Sequence, residues 1–267
     1  MEECTARVRI DLVLGHVVAL SILLALLAST IAGWPQSPET TLPALLISLL
    51  LVVPAHEAVH VAAAKILGAG RVRVEPLIFW RYLVVGVAMG FSSPLSLARW
   101  SLTALAPLVT LSPLFLALSG LGGDLGALFS ASFLFNTVGS SGDLVLLLLA
   151  ASAGARARVL DEGGAIRILG ARPKTWTALL LEGVYAFVVS LIVLGLALLT
   201  VASALRQSLA VAGVVLAEYA RVDNGFRVGT GPGVPLAALL AALVFLAVRG
   251  RGRARRLLSA LEAGCNP

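Results

Sequence analysis

The chain has 267 residues, of which 59% are hydrophobic and 13% charged. A water-soluble domain carries about 45–50% apolar and about 25% charged residues, so this composition excludes a soluble globular domain and a disordered chain and defines a polytopic membrane protein. The formal net charge of +6 is not a nucleic-acid footprint, because the basic residues lie in short clusters beside apolar runs, where the positive-inside rule puts them. Cys4 and Cys265 are the only cysteines. One stands near each end, in neither zinc-finger spacing nor a disulfide framework, and they are read as ordinary reduced thiols.

In chain order, six apolar runs are long enough to span a bilayer, which takes about 20 residues with about 17 as a lower limit. They cover residues 12–33, 42–67, 97–119, 126–150, 176–204 and 234–248, the last being the shortest. The first is too long for a signal-peptide core and follows a segment with Glu2, Glu3 and Asp11 against Arg7 and Arg9, so it reads as a retained helix. Thr40 and Thr41 offer caps for the second, Pro43 suits its first turn, and Pro54 should kink it or start a fresh segment. Between the second and third runs, residues 70–90 hold the alternating Arg71-Val72-Arg73-Val74-Glu75 and then an apolar stretch from Tyr82 to Val87. They read as a β-hairpin with Pro76 near a bend, or as a simple loop. Residues 205–233 form an external loop in which 208–219, too short to span, read as an interfacial helix. The expected fold is therefore an all-α membrane protein of about six helices with one small hairpin, a single domain over residues 1–267.

The basic residues orient these spans. With both termini cytoplasmic, 17 of the 20 Lys and Arg fall inside and only Arg206, Arg221 and Arg227 outside, the asymmetry expected of a multi-pass protein in the cell membrane.

The second run carries His56-Glu57-Ala58-Val59-His60, an H-E-x-x-H pattern. On a helix, positions i and i+4 share a face, so both imidazoles can reach one metal ion. The carboxylate of Glu57 is placed to act as general base. Ionisable groups within a membrane-length apolar run are expensive and mark a functional site. A catalytic zinc needs a third protein ligand and an open position. Asp143 and Glu182 are the acids that qualify. Counting 1.5 Å per residue along each helix puts both in the inner third of the bilayer with the histidines, so depth does not choose between them. The local sequence favours Asp143, which lies in Asn136-Thr-Val-Gly-Ser-Ser-Gly-Asp143. There Gly139 and Gly142 permit close approach or unwinding, and Asn136, Ser140 and Ser141 can satisfy freed backbone or contact a substrate peptide. Glu182 also reads as a headgroup-snorkelling or arginine-paired acid, and His16 as a satisfied helix histidine.

The pattern His56-Glu57-x-x-His60 with a later Ser141-Gly142-Asp143 and Asn136 upstream resembles the prokaryotic membrane family of zincin peptidases, and in outline the site-2 proteases. It departs from the site-2 pattern in having Gly and Ser where prolines stand there, and Leu144 after the Asp. The resemblance implies an intramembrane zinc metalloendopeptidase, with Zn²⁺ on His56, His60 and Asp143, that acts on a membrane protein or peptide within the lipid bilayer. Spacing alone implies only metal-assisted hydrolysis. The readings from other classes are a transporter or metal permease with a His/Glu/Asp site, which internal inverted repeats would favour, and a degenerate, non-catalytic zincin.

Overall fold

The computed structural model describes residues 4–32, 38–79, 83–223 and 225–265. Six of its helical stretches are long and apolar enough to cross a membrane. Their outward faces carry large apolar side chains, among them Leu50 at 74% and Leu196 at 62% exposure. Such faces are costly in water and at home in lipid. The contacts of the chain divide it into two compact units, residues 1–178 with 256–267, and residues 179–255, where the sequence alone suggested one domain.

The first unit opens with strand β1 (Cys4–Arg9), which runs into α1 (Ile10–Ala32). Helix α2 (Pro38–Ile66) follows and carries the H-E-x-x-H pattern. It runs through Pro54 without a new segment beginning there, and Thr40 and Thr41 lie inside it rather than capping it. The hairpin expected at residues 70–90 is present as β2 (Val72–Phe79) and β3 (Leu83–Phe91), with Pro76 within β2; the turn at residues 80–82 lies outside the described residues. A two-residue strand β4 (Leu95–Ser96) leads into α3 (Leu97–Ser119), whose first turn is capped by the Ser96 hydroxyl accepting from the Arg99 amide. The fourth span is broken at Ser140 into α4 (Gly123–Gly139) and α5 (Ser141–Ser152). Helix α4 packs against α1, α2 and α3, and small hydroxyl residues join these helices. Ser132 donates to Ser48, Ser48 donates to the Leu128 carbonyl, and Ser112 meets Thr137. Small residues and interhelical hydrogen bonds are what hold helices together where lipid removes the hydrophobic drive between them.

Strands β5 (Arg158–Asp161) and β6 (Ala165–Leu169) form a second hairpin, which with β1 and β4 makes an antiparallel sheet in the order β1-β6-β5-β4. This sheet was not expected. β1 is a short run buried at Ala6 and Val8, and its partner lies more than 150 residues away, beyond the reach of any local pattern. The sheet also corrects the reading of the cysteines, since Cys4 on β1 and Cys265 are joined in a disulfide across 261 residues. Gly90 of β3 passes against the β5–β6 turn, where a β-carbon would stand 3.1 Å from the backbone of Glu162 and Gly163. A side chain there would require the turn backbone to give by a few tenths of an ångström, so glycine suits this close approach.

Most of α6 (Thr175–Leu205) belongs to the second unit, with α7 (Gly233–Phe245), a π-helical turn (Leu246–Gly250) and the first turn of α8 (Arg251–Ala263). The final span is consequently longer than the 234–248 apolar run. Residues 208–219 do not form an interfacial helix. They lie in a three-stranded antiparallel sheet of β7 (Leu209–Val211), β8 (Val214–Val222) and β9 (Gly225–Thr230). The reason is a two-residue turn with positive φ at Ala212 (51°) and Gly213 (80°). That geometry matches strand twist and closes a tight hairpin, and β-branched Val211, Val214, Val215 and Val222 flank it.

Candidate metal centre

One turn apart on α2, His56 and His60 present their imidazoles on one face, with Nε2 atoms 3.1 Å apart. Both are buried, at 8% and 6% exposure. Asp143, in the first turn of α5, brings Oδ2 to 3.4 Å from His56 Nε2 and 3.3 Å from His60 Nε2. These three side chains form the one group among the described residues whose ligand atoms converge, all within 4.8 Å.

The outer nitrogens decide what the inner ones offer. His60 Nδ1 lies 2.9 Å from the Thr103 carbonyl, which can only accept, so Nδ1 carries the proton. His56 Nδ1 lies 3.0 Å from Asn136 Oδ1. The amide orientation of Asn136 is set by its Nδ2, which donates to the Pro107 carbonyl at 3.0 Å and to Ser112 Oγ at 2.7 Å. In the neutral form each imidazole would therefore turn an unprotonated Nε2 inward, and a carboxylate oxygen joins them. Three lone pairs aimed at one point repel unless a cation sits among them.

That donor set fits zinc. With bonds of about 2.0–2.1 Å in a tetrahedron, neighbouring ligand atoms stand about 3.3–3.4 Å apart, and the three separations found are 3.1, 3.3 and 3.4 Å. The outer hydrogen bonds are those that orient metal-ligating histidines.

The Thr103 carbonyl is available for a reason visible in the sequence. In an α-helix it would accept from the amide of residue 107, but Pro107 has no N–H, so the freed carbonyl takes the His60 proton instead. Sequence reasoning missed this partner, although a proline four residues on from Thr103 was its signal.

Glu57 lines the cavity that His56, His60 and Asp143 share, a space of about 150 Å³. Gly139 and Gly142 lie on its wall. A β-carbon at either glycine would meet nothing within 4 Å, so they leave space in the cavity rather than permit a close backbone approach. The three residues considered for substrate contact are spent inside the bundle. Asn136 has the partners above, Ser140 donates to the Asn136 carbonyl, and Ser141 pairs with Ser21 of α1 at 2.7 Å; all three are at most 2% exposed. Glu182 lies in the second unit, 3% exposed, with Arg253 Nε 2.8 Å from its carboxylate. The Arg253 guanidinium also covers the rings of Tyr185 and Phe245. His16 is buried on α1, outside the converging group.

A further acid, which the sequence reading passed over, lines the cavity. Asp161 ends β5, accepts a hydrogen bond from the Gly163 amide at 3.0 Å and another from the Trp100 indole. Burial is the largest influence on its carboxyl group and pushes its pKa up to about 7, with the nearby Asp143 carboxylate acting in the same direction and the two hydrogen bonds opposing. In the sequence it looks like the opening residue of a polar turn, Asp161-Glu-Gly-Gly164.

Residues 49–158 match the model of a protein family described as "Putative zincin peptidase", which shows the family resemblance over that segment, from the middle of α2 to the start of β5. The chain is also 29% identical over 161 residues to an "Uncharacterized 24.7 kDa protein in gap 5'region" from Pyrococcus woesei, a match covering 54% of this chain and 65%, just under two thirds, of that protein. No solved structure matches.

Proposed function

We propose that the protein is an integral-membrane zinc metalloendopeptidase. The observation that carries this reading is the convergence of two imidazole Nε2 atoms and a carboxylate oxygen at zinc-ligand spacing, on the wall of a cavity that also holds Glu57. His56, His60 and Asp143 would hold the ion, with Asn136 and the Thr103 carbonyl fixing the two ring orientations. Bound there, zinc supplies Lewis-acid polarisation of the scissile carbonyl and acidification of water. Glu57 takes the proton of the attacking water and delivers it to the leaving nitrogen, so that the amine departs neutral. Asn136 and Thr103 keep both imidazoles in the tautomer that leaves Nε2 free. The family match supports peptidase chemistry, and the apolar helices that carry every one of these groups support a substrate bond in or beside a membrane segment.

The test is Glu57→Gln in the full-length protein. Zinc content should stay near one ion per chain while cleavage of membrane-protein substrates falls by at least about 10²-fold. Undiminished cleavage would refute the reading. A metal permease would keep its transport with glutamine there, so the same variant separates the two classes.

A further inference from the structure

With zinc bound and Asp161 ionised, the charge of the cavity lining would not balance by itself. Zinc carries two positive charges, and the carboxylates of Glu57 and Asp143 offset both. Asp161 lines the same cavity as a third acid, and no lysine or arginine is among the described residues of that lining. The adjoining acid is treated differently. Glu162 has the Arg7 guanidinium at 2.9 Å and the Arg167 guanidinium at 2.6 Å, so two cations of this sheet are paired with an acid that does not line the cavity. Arg158, on the same strand as Asp161, donates to the Pro94 carbonyl. Among the described residues, Asp161 meets neutral donors, the Gly163 amide and the Trp100 indole. These fix the carboxyl group in place and bring no positive charge to it. A fixed, partly desolvated carboxyl group with no cation among its described neighbours ionises most readily beside a cation that a ligand brings.

We propose that Asp161 is a specificity-determining residue that recognises a cationic nitrogen carried by the substrate beside the scissile bond. The shared chemistry is an ammonium or guanidinium group. It can come from a lysine or arginine side chain or from a free α-amino end. The inference rests on the metallopeptidase reading above. It concerns a residue just past the segment that matches the family, on a sheet built from parts of the chain far apart in sequence. The cavity of about 150 Å³ accepts a head group of this size beside a peptide bond.

The experiment uses the zinc-loaded full-length protein in detergent with hexapeptides of alanine and leucine. One position, moved along the peptide, is lysine, its neutral isostere norleucine, or glutamate. Each peptide is made with a free and an acetylated N-terminus, which separates a side-chain source from an α-amine source. Cleavage gives kcat/KM, and versions with N-methylated bonds, which bind without being cut, give Kd by tryptophan fluorescence. A cationic peptide should be preferred over its neutral counterpart by about tenfold or more in both readouts. Asp161→Asn should bring that ratio to about one, and Asp161→Glu, which keeps the charge, should restore most of it. Gel filtration and zinc content report whether each variant is folded and loaded. An unchanged ratio in Asp161→Asn overturns the proposal, as does wild-type protein that binds lysine and norleucine peptides alike. An equal fall for every peptide in Asp161→Asn also overturns it, since that marks a proton-relay or structural role. Wild-type protein that takes up no zinc fails the metallopeptidase reading itself, whereas zinc-loaded, active protein without a charge preference fails this proposal alone.

Discussion

Asn136→Ala tests how the site is held. The Asn136 side chain is wholly buried and makes three hydrogen bonds, accepting from His56 Nδ1 at 3.0 Å and donating to the Pro107 carbonyl at 3.0 Å and to Ser112 Oγ at 2.7 Å. Alanine leaves the His56 N–H and the Pro107 carbonyl without these partners, while Ser112 keeps Thr137 at 3.2 Å. The Pro107 carbonyl keeps its place in the α3 ladder opposite the Leu111 amide, so one buried polar group is abandoned, for a loss of roughly 1–3 kcal/mol. Some of that falls on folding and some on the metal, because an unanchored His56 ring can rotate its Nε2 away. Loss of such an outer partner lowers metal affinity by about 10–100-fold. Competition against a chelator of known zinc affinity reads the second effect, and thermal unfolding in detergent reads the first. A residue that gripped substrate instead would raise KM and leave zinc affinity untouched. Zinc affinity within about threefold of wild type would refute the positioning role.

Four further outcomes are expected. Asp143→Ala should abolish most zinc binding in equilibrium dialysis while Glu182→Ala retains it; the reverse would mean that the wrong acid is assigned. For Asp161, whose carboxyl titrates near 7 in the fold against about 3.9 in an unfolded chain, the native state keeps a proton that the unfolded chain has released. Stability of the metal-free protein should therefore fall as pH rises from about 4 to 7 and then level off, by no more than about 4 kcal/mol in all. Asp161→Asn should flatten that slope in unfolding followed across pH, and an unaltered slope would count against it. Non-reducing mass analysis should find Cys4 and Cys265 linked, and Cys4→Ser should lower the thermal midpoint, since a crosslink over so long a loop restricts the unfolded chain. A cysteine probe at Gly231 should react with an impermeant reagent from outside the cell and one at Gly163 should not; the opposite pattern would invert the orientation read from the basic residues.

Signals confined to one stretch of chain were legible in the sequence. Hydropathy over about 20 residues marks a span whatever surrounds it, and all six runs are helical. The i, i+4 spacing puts His56 and His60 on one face of any helix, and the alternation at Arg71–Glu75 belongs to the strand it resembles. The reading of residues 208–219 as a helix failed even locally, because apolar length was weighed and the Ala212-Gly213 turn was not. Contact across the chain was another matter. Residue counting gave Asp143 and Glu182 the same expected depth, and depth is one coordinate; packing brings Asp143 to the histidines and gives Glu182 to Arg253. The sheet that joins β1 to β6, the disulfide between the two ends of the chain, and the arrival of Asp161 in the cavity all need residues far apart in sequence to become neighbours. No local pattern encodes such pairings, since each is the outcome of burying many surfaces at once. The Thr103 carbonyl lies between the two cases. Pro107 frees it by covalent chemistry that anyone can read from the sequence, but only the folded bundle carries His60 to it.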